Sequence, residues 1–294
     1  TPLIMRSVGN EIAAAHGEIS DVFPSFDAAF LTGDTLSYSL REELSELWAG
    51  DIYEMYAATE TGIVAVGLSD TKWLYPVSTD ITIEVIDDTA LPEYSDAERY
   101  RHVDEDDIYD IAELDHRVTG PVLFTHDRET VPLTRYAIED VITAEPWPGS
   151  GRFRMESRTD DVISFGGAPV YEQQIDDALD AAAGASIDDW VTVASRPDGI
   201  TPAMDVYVIG TGVDEAVFRG ALLANSSPLK QAYSLGERDS DGRLRSEGLV
   251  QHIQTTSLPD RSAGGTVLDT AYDLETEPFS DGFKSSRVLF DASY

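Results

Sequence analysis

The residues most able to do chemistry fall into three short clusters. In chain order they are Tyr56-Ala57-Ala58-Thr59-Glu60, Arg135-Tyr136-Ala137-Ile138-Glu139-Asp140 and Ser157-Arg158-Thr159-Asp160-Asp161. Carboxylates are the hard oxygen ligands that Mg²⁺ takes, and they accept hydrogen bonds from hydroxyl groups. An aromatic ring offers a flat face to a planar base. Each cluster alone also has an ordinary explanation, such as a strand-end core residue, a turn acid or a surface ion pair.

Together, the clusters and their spacing resemble the adenylate-forming superfamily, and within it the phenylacetate–CoA ligase branch. That family has a tyrosine-glycine-x-threonine-glutamate loop, an arginine-tyrosine-x-x-x-aspartate strand and a glycine-arginine-x-aspartate-aspartate segment. The segments that flank these clusters are similar as well. Thr119-Gly120-Pro121 opens a strand pair that leads to Arg135, and Gly167 to Ile175 resembles the family's glycine-rich turn and following helix. The resemblance covers residues 30 to 180 well and the remainder loosely.

The resemblance implies an AMP-forming ligase that activates a small carboxylic acid with ATP. It makes Glu60 the magnesium-associated carboxylate and places Thr59 against the α-phosphate. Tyr56 would lie against the adenine of ATP or AMP. Asp140 would accept hydrogen bonds from the ribose hydroxyls, and Arg158 would reach the same ribose.

The same resemblance assigns two further segments and a hinge. Gly33 and Asp34 resemble the loop that passes close to the adenine. Asp160 takes the position at which a large domain joins a small mobile lid. Lys284 resembles the lysine that the lid carries to the reacting carboxylate, where a positive charge stabilises the transition state. A stray surface lysine is the alternative interpretation of Lys284.

Several positions depart from the family pattern. Ala57 replaces the loop glycine, Glu139 replaces the glycine before the ribose aspartate, and Ser157 replaces the glycine before Arg158. The family's phosphate loop, rich in serine, threonine and glycine, would lie upstream of Thr1, as would most of the acyl pocket. We therefore expect a fragment, a natural half that pairs with another chain, or a degenerate descendant.

Hydrophobic periodicity predicts the elements that position these residues. A helix is expected from Ser37, ending before Gly50, between strands at Phe26 to Leu31 and Ile52 to Tyr56. Further strands are expected at 81–85, 121–125, 131–143, 190–194 and 204–209, and helices at 172–183 and 214–223. Residues 146–151 form the strongest break, and the order of the tail from Gly248 is not predicted.

These patterns predict an α/β protein with an α+β lid. Residues 1–159 would be the C-terminal part of the large adenylation domain, with an α/β segment at 1–75 and a β-rich subdomain at 76–159. Residues 160–294 would form the lid.

The acidic composition indicates a halophilic cytoplasmic protein. Lys+Arg total 20 and Asp+Glu total 55, giving a formal charge of −35, and only Lys72, Lys230 and Lys284 are lysines. Molar salt shortens the Debye length to about 3 Å and so screens such self-repulsion. An ordinary acidic protein with disordered acidic tails is the alternative. The charge argues against nucleic acid and anionic membranes as partners.

Other chemistries find little support in the sequence. The absence of cysteine excludes disulfides, thiolate metal sites and cysteine nucleophiles. His102, His116 and His126 lack metal-ligand spacing and are interpreted as solvated loop residues. No nucleophile-elbow pattern occurs. No apolar run has the length of a membrane span, and the N-terminus lacks a signal-peptide pattern.

Three functions remain open at this point. The first is an AMP-forming acyl- or aryl-CoA ligase, or a relative that transfers the acyl group to another thiol or to an amine. The second is a catalytically inactive nucleotide-binding or scaffold module derived from such a ligase. The third is an unrelated acidic α/β protein.

Overall fold

The computed structural model divides the chain into two compact units, Thr1–Asp160 and Asp161–Tyr294. It describes residues 2–33, 36, 38–91, 100, 103–127, 132–165, 168–183, 187–196, 203–210, 212–227, 229–230, 253–274 and 287–292. The division falls one residue from the expected boundary after residue 159. That the second unit is a mobile lid stays a prediction. Within the described ranges, no helix has the length and apolarity needed to cross a membrane.

The first unit is built on a nine-stranded mixed sheet. Its helices are α1 (Pro2–His16), α2 (Ile19–Val22) and α3 (Tyr38–Trp48). Its strands are β1 (Ala28–Leu31), β2 (Asp51–Ala58), β3 (Gly62–Gly67), β4 (Leu74–Pro76), β5 (Ile81–Ile86), β6 (Ile108–Asp110), β7 (Val118–His126), β8 (Leu133–Glu145) and β9 (Arg152–Arg158). The sheet order is β1-β2-β3-β4-β9-β8-β7-β5-β6.

The β1–α3–β2 segment is a parallel crossover, as expected from helix and strand signals in alternation. Strands β1 and β2 pair in parallel, with Phe30 opposite Tyr53. Leu40 and Leu44 of α3 lie on one helix face because they are four residues apart, and they pack on Ile52 of β2. The helix predicted from Ser37 is confirmed at Tyr38–Trp48.

The strand-rich part continues the same sheet and does not form a separate layer. Short strand β4 pairs with β9 at Leu74 and Phe153, which joins the two predicted segments 1–75 and 76–159. The break at residues 146–151 is the turn between β8 and β9. Gly151 in this turn has φ of +67°, and a Cβ there would lie 2.0 Å from the carbonyl oxygen of Ile111, so only glycine fits.

The second unit has helices on both faces of a four-stranded sheet. Its elements are the hairpin β10 (Ile163–Phe165) and β11 (Ala168–Val170), then α4 (Glu172–Ala182), β12 (Ile187–Ser195), β13 (Ala203–Gly210), α5 (Glu215–Asn225), β14 (Ile253–Leu258), α6 (Arg261–Ala271) and β15 (Val288–Phe290). The sheet order is β14-β13-β12-β15. Helices α4 and α5 share one apolar cluster with the sheet, and Leu268 of α6 belongs to another on the opposite face. Strand β13 is buried almost throughout for this reason.

Local sequence patterns predicted the helices and strands in the first half of the second unit well. Helix α5 begins after Asp214, whose side chain accepts hydrogen bonds from the backbone N–H groups of Ala216 and Val217, as an N-cap does. The tail was not ordered from sequence because its strands pair in parallel with distant ones. Strand β14 pairs with β13, and β15 pairs with β12.

Candidate functional site

The first cluster centres on Tyr56, a core residue of β2. Alternate residues of this strand are buried, and Tyr56 is only 8% exposed. Its ring stacks at 6.1 Å on Phe124, and meets Phe153 edge-on at 5.5 Å. The expected role of Tyr56 as a platform for adenine does not fit this placement, because its ring is almost fully buried in an apolar cluster.

The hydroxyl of Tyr56 does have a polar partner. It donates a 2.7 Å hydrogen bond to Oδ2 of Asp140. Burial raises the pKa of Tyr56 well above its usual value, and the nearby negative charges of Asp140 and Glu60 raise it further, while Arg158 opposes them. The charges of Asp140, Glu60 and Arg158, all predicted site residues, therefore act on the Tyr56 hydroxyl.

The second and third clusters meet on neighbouring strands. Asp140 of β8 lies directly opposite Arg158 of β9 in the ladder. The carboxylate of Glu139 lies 3.8 Å from the guanidinium of Arg158, in an exposed ion pair. The structure thus brings together Tyr56, Asp140 and Arg158, which the sequence predicted as parts of one site.

Breaks in strand register surround these residues. Pro121 faces Val141 while Leu123 faces Ala137, so two steps along β7 correspond to four along β8. Similar breaks lie between β8 and β9 beside Val141, and between β2 and β3 beside Tyr56. Bulges of this kind re-aim side chains and are frequent next to active sites. The extra residues on β8 include Asp140 itself.

The departures from the family pattern differ in their structural consequence. Glu139 has φ of +64°, in the left-handed region that glycine tolerates without strain. Arg135, on the same strand, has φ of +45°. Neither Ala57 nor Ser157 lies in this region, so their side chains do not strain the backbone there. Only the loss of glycine at 139 conflicts with the local backbone.

The Thr59–Glu60 pair forms an exposed turn after β2, followed by buried Thr61. The ring nitrogen Nε2 of His126 lies 3.4 Å from the carbonyl oxygen of Glu60, and it can donate to that oxygen when it carries the proton. His126 is 3% exposed, so its interpretation as a solvated loop residue is wrong. It is the last residue of β7, and Ile81 of β5 lies opposite it in the ladder.

The interpretation as a solvated histidine fits His116. Its side chain is exposed, and its Nδ1 lies 2.6 Å from Oδ1 of Asp115. His102 lies outside the described residues. The signal that would have separated His126 from them is its place in the apolar alternation of β7.

Glu60 offers a single exposed carboxylate at this turn. In the part of the chain that the structure describes, no three His, Asp or Glu side chains gather into a metal-binding group. No described residue forms an ion pair with the Glu60 carboxylate, which is exposed at the turn. Mg²⁺ commonly binds one or two carboxylates and completes its shell with phosphate oxygens and water.

The remaining predicted residues lie apart or outside the described ranges. Gly33 follows β1 in an exposed bend with φ of +91°. Asp160 is exposed in a short 3₁₀ turn, Thr159–Asp161, at the boundary of the two units. Asp34 and Lys284 lie outside the described residues.

Comparison with solved structures reveals a shared fold. 2-Hydroxyisobutyryl-CoA ligase, in the postadenylation state in complex with 2-HIB-AMP, matches with a TM-score of 0.54 and 17% identity, over 99% of this chain and 54% of that one. The GH3.15 acyl acid amido synthetase matches with a TM-score of 0.51 and 13% identity, over 81% and 41%. An amide bond synthetase from Marinactinospora thermotolerans matches with a TM-score of 0.50 and 13% identity, over 87% and 47%.

Sequence comparison adds no closer relationship. No protein-family model and no curated protein sequence matches the chain. At the low identities of the structural matches, the likeness establishes the fold alone. The chain has the mixed α/β fold of adenylate-forming ligases, and it spans about half the length of the ligase structure, 54%.

Proposed function

We propose that this chain is part of an AMP-forming ligase that activates a carboxylic acid. In the proposed reaction, an oxygen of the carboxylate attacks the α-phosphorus of ATP, the bond to pyrophosphate breaks, and acyl-adenylate forms. A thiol or amine then attacks the acyl carbon and AMP leaves. CoA is the expected acceptor, and the amide-forming synthetases with this fold make an amine the alternative.

One contact carries the proposal, which is the hydrogen bond that Tyr56 donates to Asp140. Arg158 lies opposite Asp140 in the ladder. The tyrosine hydroxyl fixes one oxygen of this carboxylate, and carboxylate oxygens accept hydrogen bonds from hydroxyl groups. Held in this way, Asp140 would accept hydrogen bonds from the ribose hydroxyls of ATP or AMP. Tyr56 would act as the residue that positions Asp140, and adenine stacking is not assigned to it.

The exposed turn at Thr59 and Glu60 would face the phosphates. The Thr59 hydroxyl would contact the α-phosphate, and the Glu60 carboxylate would hold Mg²⁺ together with phosphate oxygens. Bound Mg²⁺ would neutralise phosphate charge and polarise the α-phosphorus for attack. Gly33 and Asp34 would pass near the adenine, as the resemblance implies.

The second unit, residues 160–294 in the sequence prediction, would be the lid. We assign the hinge to Asp160, because the two compact units meet between Asp160 and Asp161 along the chain. Lys284 would supply the positive charge at the reacting carboxylate. The charge of −35 supports a cytoplasm rich in potassium chloride as the setting, and it does not favour nucleic acid as a partner.

Calorimetric titration of AMP and of Mg-ATP in molar potassium chloride tests the proposed site. Asp140→Ala should abolish saturable AMP binding. Asp269→Ala, at an exposed acid on α6 of the second unit, is the matched control and should bind as the unaltered chain does. If the folded chain binds AMP equally well with and without Asp140, the site is assigned wrongly.

The ion pair between Glu139 and Arg158 favours a second candidate, a nucleotide-binding module without catalysis. Glu139 stands where the family has glycine, and its carboxylate engages the arginine expected to reach the ribose. Such a module would bind AMP and show no pyrophosphate exchange, even with the remainder of the ligase fold supplied. Exchange that is lost in Lys284→Ala would instead establish the enzyme.

A further inference from the structure

The buried side chain of His126 reaches from the end of β7 to the turn between β2 and β3. Its Nε2 lies 3.4 Å from the carbonyl oxygen of Glu60, a residue 66 positions earlier in the chain. Strands β4, β9 and β8 lie between β3 and β7 in the order of the sheet. The sheet must therefore curl for this contact to form, and the contact joins two parts of the sheet that are not neighbours.

A second contact of β7 supports the same arrangement. Phe124 and His126 lie on one face of β7, because they are two residues apart on a strand that pairs with β5 without a break. Both side chains are buried. The ring of Phe124 stacks on Tyr56 at 6.1 Å, and Tyr56 precedes Glu60 by four residues. One face of β7 therefore lies against β2 and against the turn that follows it.

Only one tautomer of His126 fits these surroundings. Its Nδ1 is buried, and none of the described residues gives that atom a hydrogen-bond partner. A proton on Nδ1 would be a buried donor without an acceptor, and the lone pair of Nε2 would then face the oxygen of Glu60. A proton on Nε2 instead forms the hydrogen bond and leaves one acceptor unpaired. His126 therefore donates from Nε2 to the backbone of the turn.

This hydrogen bond restrains the turn without using its polar side chains. Thr59 and Glu60 are exposed, whereas Thr61 is fully buried behind them. The contact is made to a backbone carbonyl, so it occupies neither the hydroxyl of Thr59 nor the carboxylate of Glu60. We propose that His126 is a positioning residue that holds this turn towards the α-phosphate of the nucleotide. The inference rests on the proposed function, and it adds a residue of β7 to a site built from β2, β8 and β9.

Two substitutions separate the hydrogen bond of His126 from its packing. His126→Gln keeps an N–H donor at about the reach of Nε2, whereas His126→Leu fills the buried position without a donor. His116→Leu, at an exposed histidine of the same unit, is the control. Long-range nitrogen–proton NMR correlations of the unaltered protein should place the ring proton of His126 on Nε2. A proton on Nδ1 would overturn the proposal.

Hydrogen exchange with mass spectrometry measures the restraint on the turn. Peptides that span residues 58–63 should exchange about fivefold faster in His126→Leu, as expected for the loss of one neutral hydrogen bond. His126→Gln and His116→Leu should stay within about twofold of the unaltered protein. Equal exchange rates in His126→Leu and His126→Gln would overturn the proposal, because packing alone would then set the mobility of the turn.

Titration of adenosine and of AMP into the same proteins, in molar potassium chloride, measures the effect on phosphate binding. AMP adds the α-phosphate to adenosine, so the ratio of the two affinities reports the contact at the turn. This ratio should fall about fivefold in His126→Leu with adenosine affinity unchanged, and His126→Gln should restore it. Equal losses of adenosine and AMP affinity would overturn the positioning role. Failure of the unaltered chain to bind either ligand would count against the proposed function, and the exchange measurement would then decide by itself whether His126 anchors the turn.

Discussion

The hydroxyl of Tyr56 donates a 2.7 Å hydrogen bond to Asp140, a residue 84 positions later in the chain. Strands β3, β4 and β9 lie between β2 and β8 in the order of the sheet. A direct contact between β2 and β8 therefore requires the sheet to curl, so that these strands face each other across its inner side. Phe124 and Phe153 fill the space beneath the contact. The polar pair thus lies at the rim of an apolar core.

Removing the hydroxyl should loosen Asp140. Tyr56→Phe is expected to lower the free energy of unfolding by about 1–2 kcal/mol, because the bond is part-buried and its acceptor is charged. AMP affinity should fall several-fold as Asp140 loses its orientation. Tyr53→Phe, on the same strand, removes an exposed 3.3 Å contact with Asp51 and should change stability by less than about 0.5 kcal/mol. Urea denaturation and calorimetry compare the two variants, and equal effects would contradict the assigned role.

The buried hydroxyl should also make stability depend on alkaline pH. Burial and Asp140 raise the pKa of Tyr56 in the folded chain, whereas an unfolded tyrosine ionises near pH 10. Above that pH the folded state keeps a proton that the unfolded state loses. The contribution of Tyr56 is therefore complete below about pH 10 and is lost as pH rises towards the folded pKa.

Urea unfolding between pH 8 and 11 measures this dependence. Tyr56→Phe should remove a slope of about 1.4 kcal/mol per pH unit above roughly pH 10. Other tyrosines with raised pKa, including Tyr272, contribute to the slope of both proteins, so the difference between the proteins is the quantity of interest. Parallel curves for the two proteins would contradict the expected ionisation behaviour.

The left-handed backbone at residue 139 predicts a stabilising substitution. Glu139→Gly should raise the free energy of unfolding by about 1 kcal/mol, because glycine adopts a φ of +64° without the strain that a side chain brings. Glu139→Ala keeps the Cβ and serves as the control, which should show no such gain. Both changes remove the carboxylate that pairs with Arg158, so both should strengthen AMP binding. Thermal unfolding separates the backbone effect from the charge effect.

The second unit should depend on Arg287, which precedes β15. Its guanidinium lies 3.8 Å from both Glu172 and Asp176 and 5.2 Å from the ring centre of Trp190. These side chains are mostly buried, so Arg287→Gln leaves carboxylates without their cation and should cost about 3 kcal/mol. Arg219→Gln disrupts an ion pair with Glu215 within exposed helix surface and should cost less than about 0.5 kcal/mol.

Hydrogen exchange with mass spectrometry localises the effect of Arg287→Gln. Faster exchange should appear in peptides of the second unit, since Trp190 also donates a 3.1 Å hydrogen bond to Asp176. Peptides from β2 and β8 should exchange at the rate of the unaltered protein. Equally fast exchange in Arg219→Gln would show that the contacts of Arg287 stabilise the second unit no more than the exposed ion pair of Arg219 does.

The net charge of −35 predicts stability that rises with salt. The Debye length falls from about 8 Å at physiological salt to about 3 Å at 1 M, which screens repulsion among exposed acids. Relief of about 3 kcal/mol corresponds to roughly 10 °C in Tm for a unit of this size. Calorimetry from 0.2 to 3 M potassium chloride measures this change. Matched concentrations of sucrose serve as the control, and a Tm independent of salt would contradict the halophilic assignment.

Local sequence patterns predicted the elements well where neighbouring residues decide them. The apolar spacing of α3 and the capping aspartate of α5 each need only a few adjacent side chains. The tail of the second unit was not predicted in this way, because β14 and β15 are held by strands far away in sequence. His126 was misjudged for a related reason, since its burial depends on the partner strand β5.

The sequence by itself determined the mixed α/β class, the acidic character and the identity of the residues expected to meet at one site. Only the tertiary structure decided how they meet. The curl of the sheet turns Tyr56 from a possible base platform into a buried partner of Asp140. The bulges of β8 place Glu139 in a left-handed conformation beside Arg158. Residue types follow from local chemistry, but burial and direction follow from strands that the chain brings together over long separations.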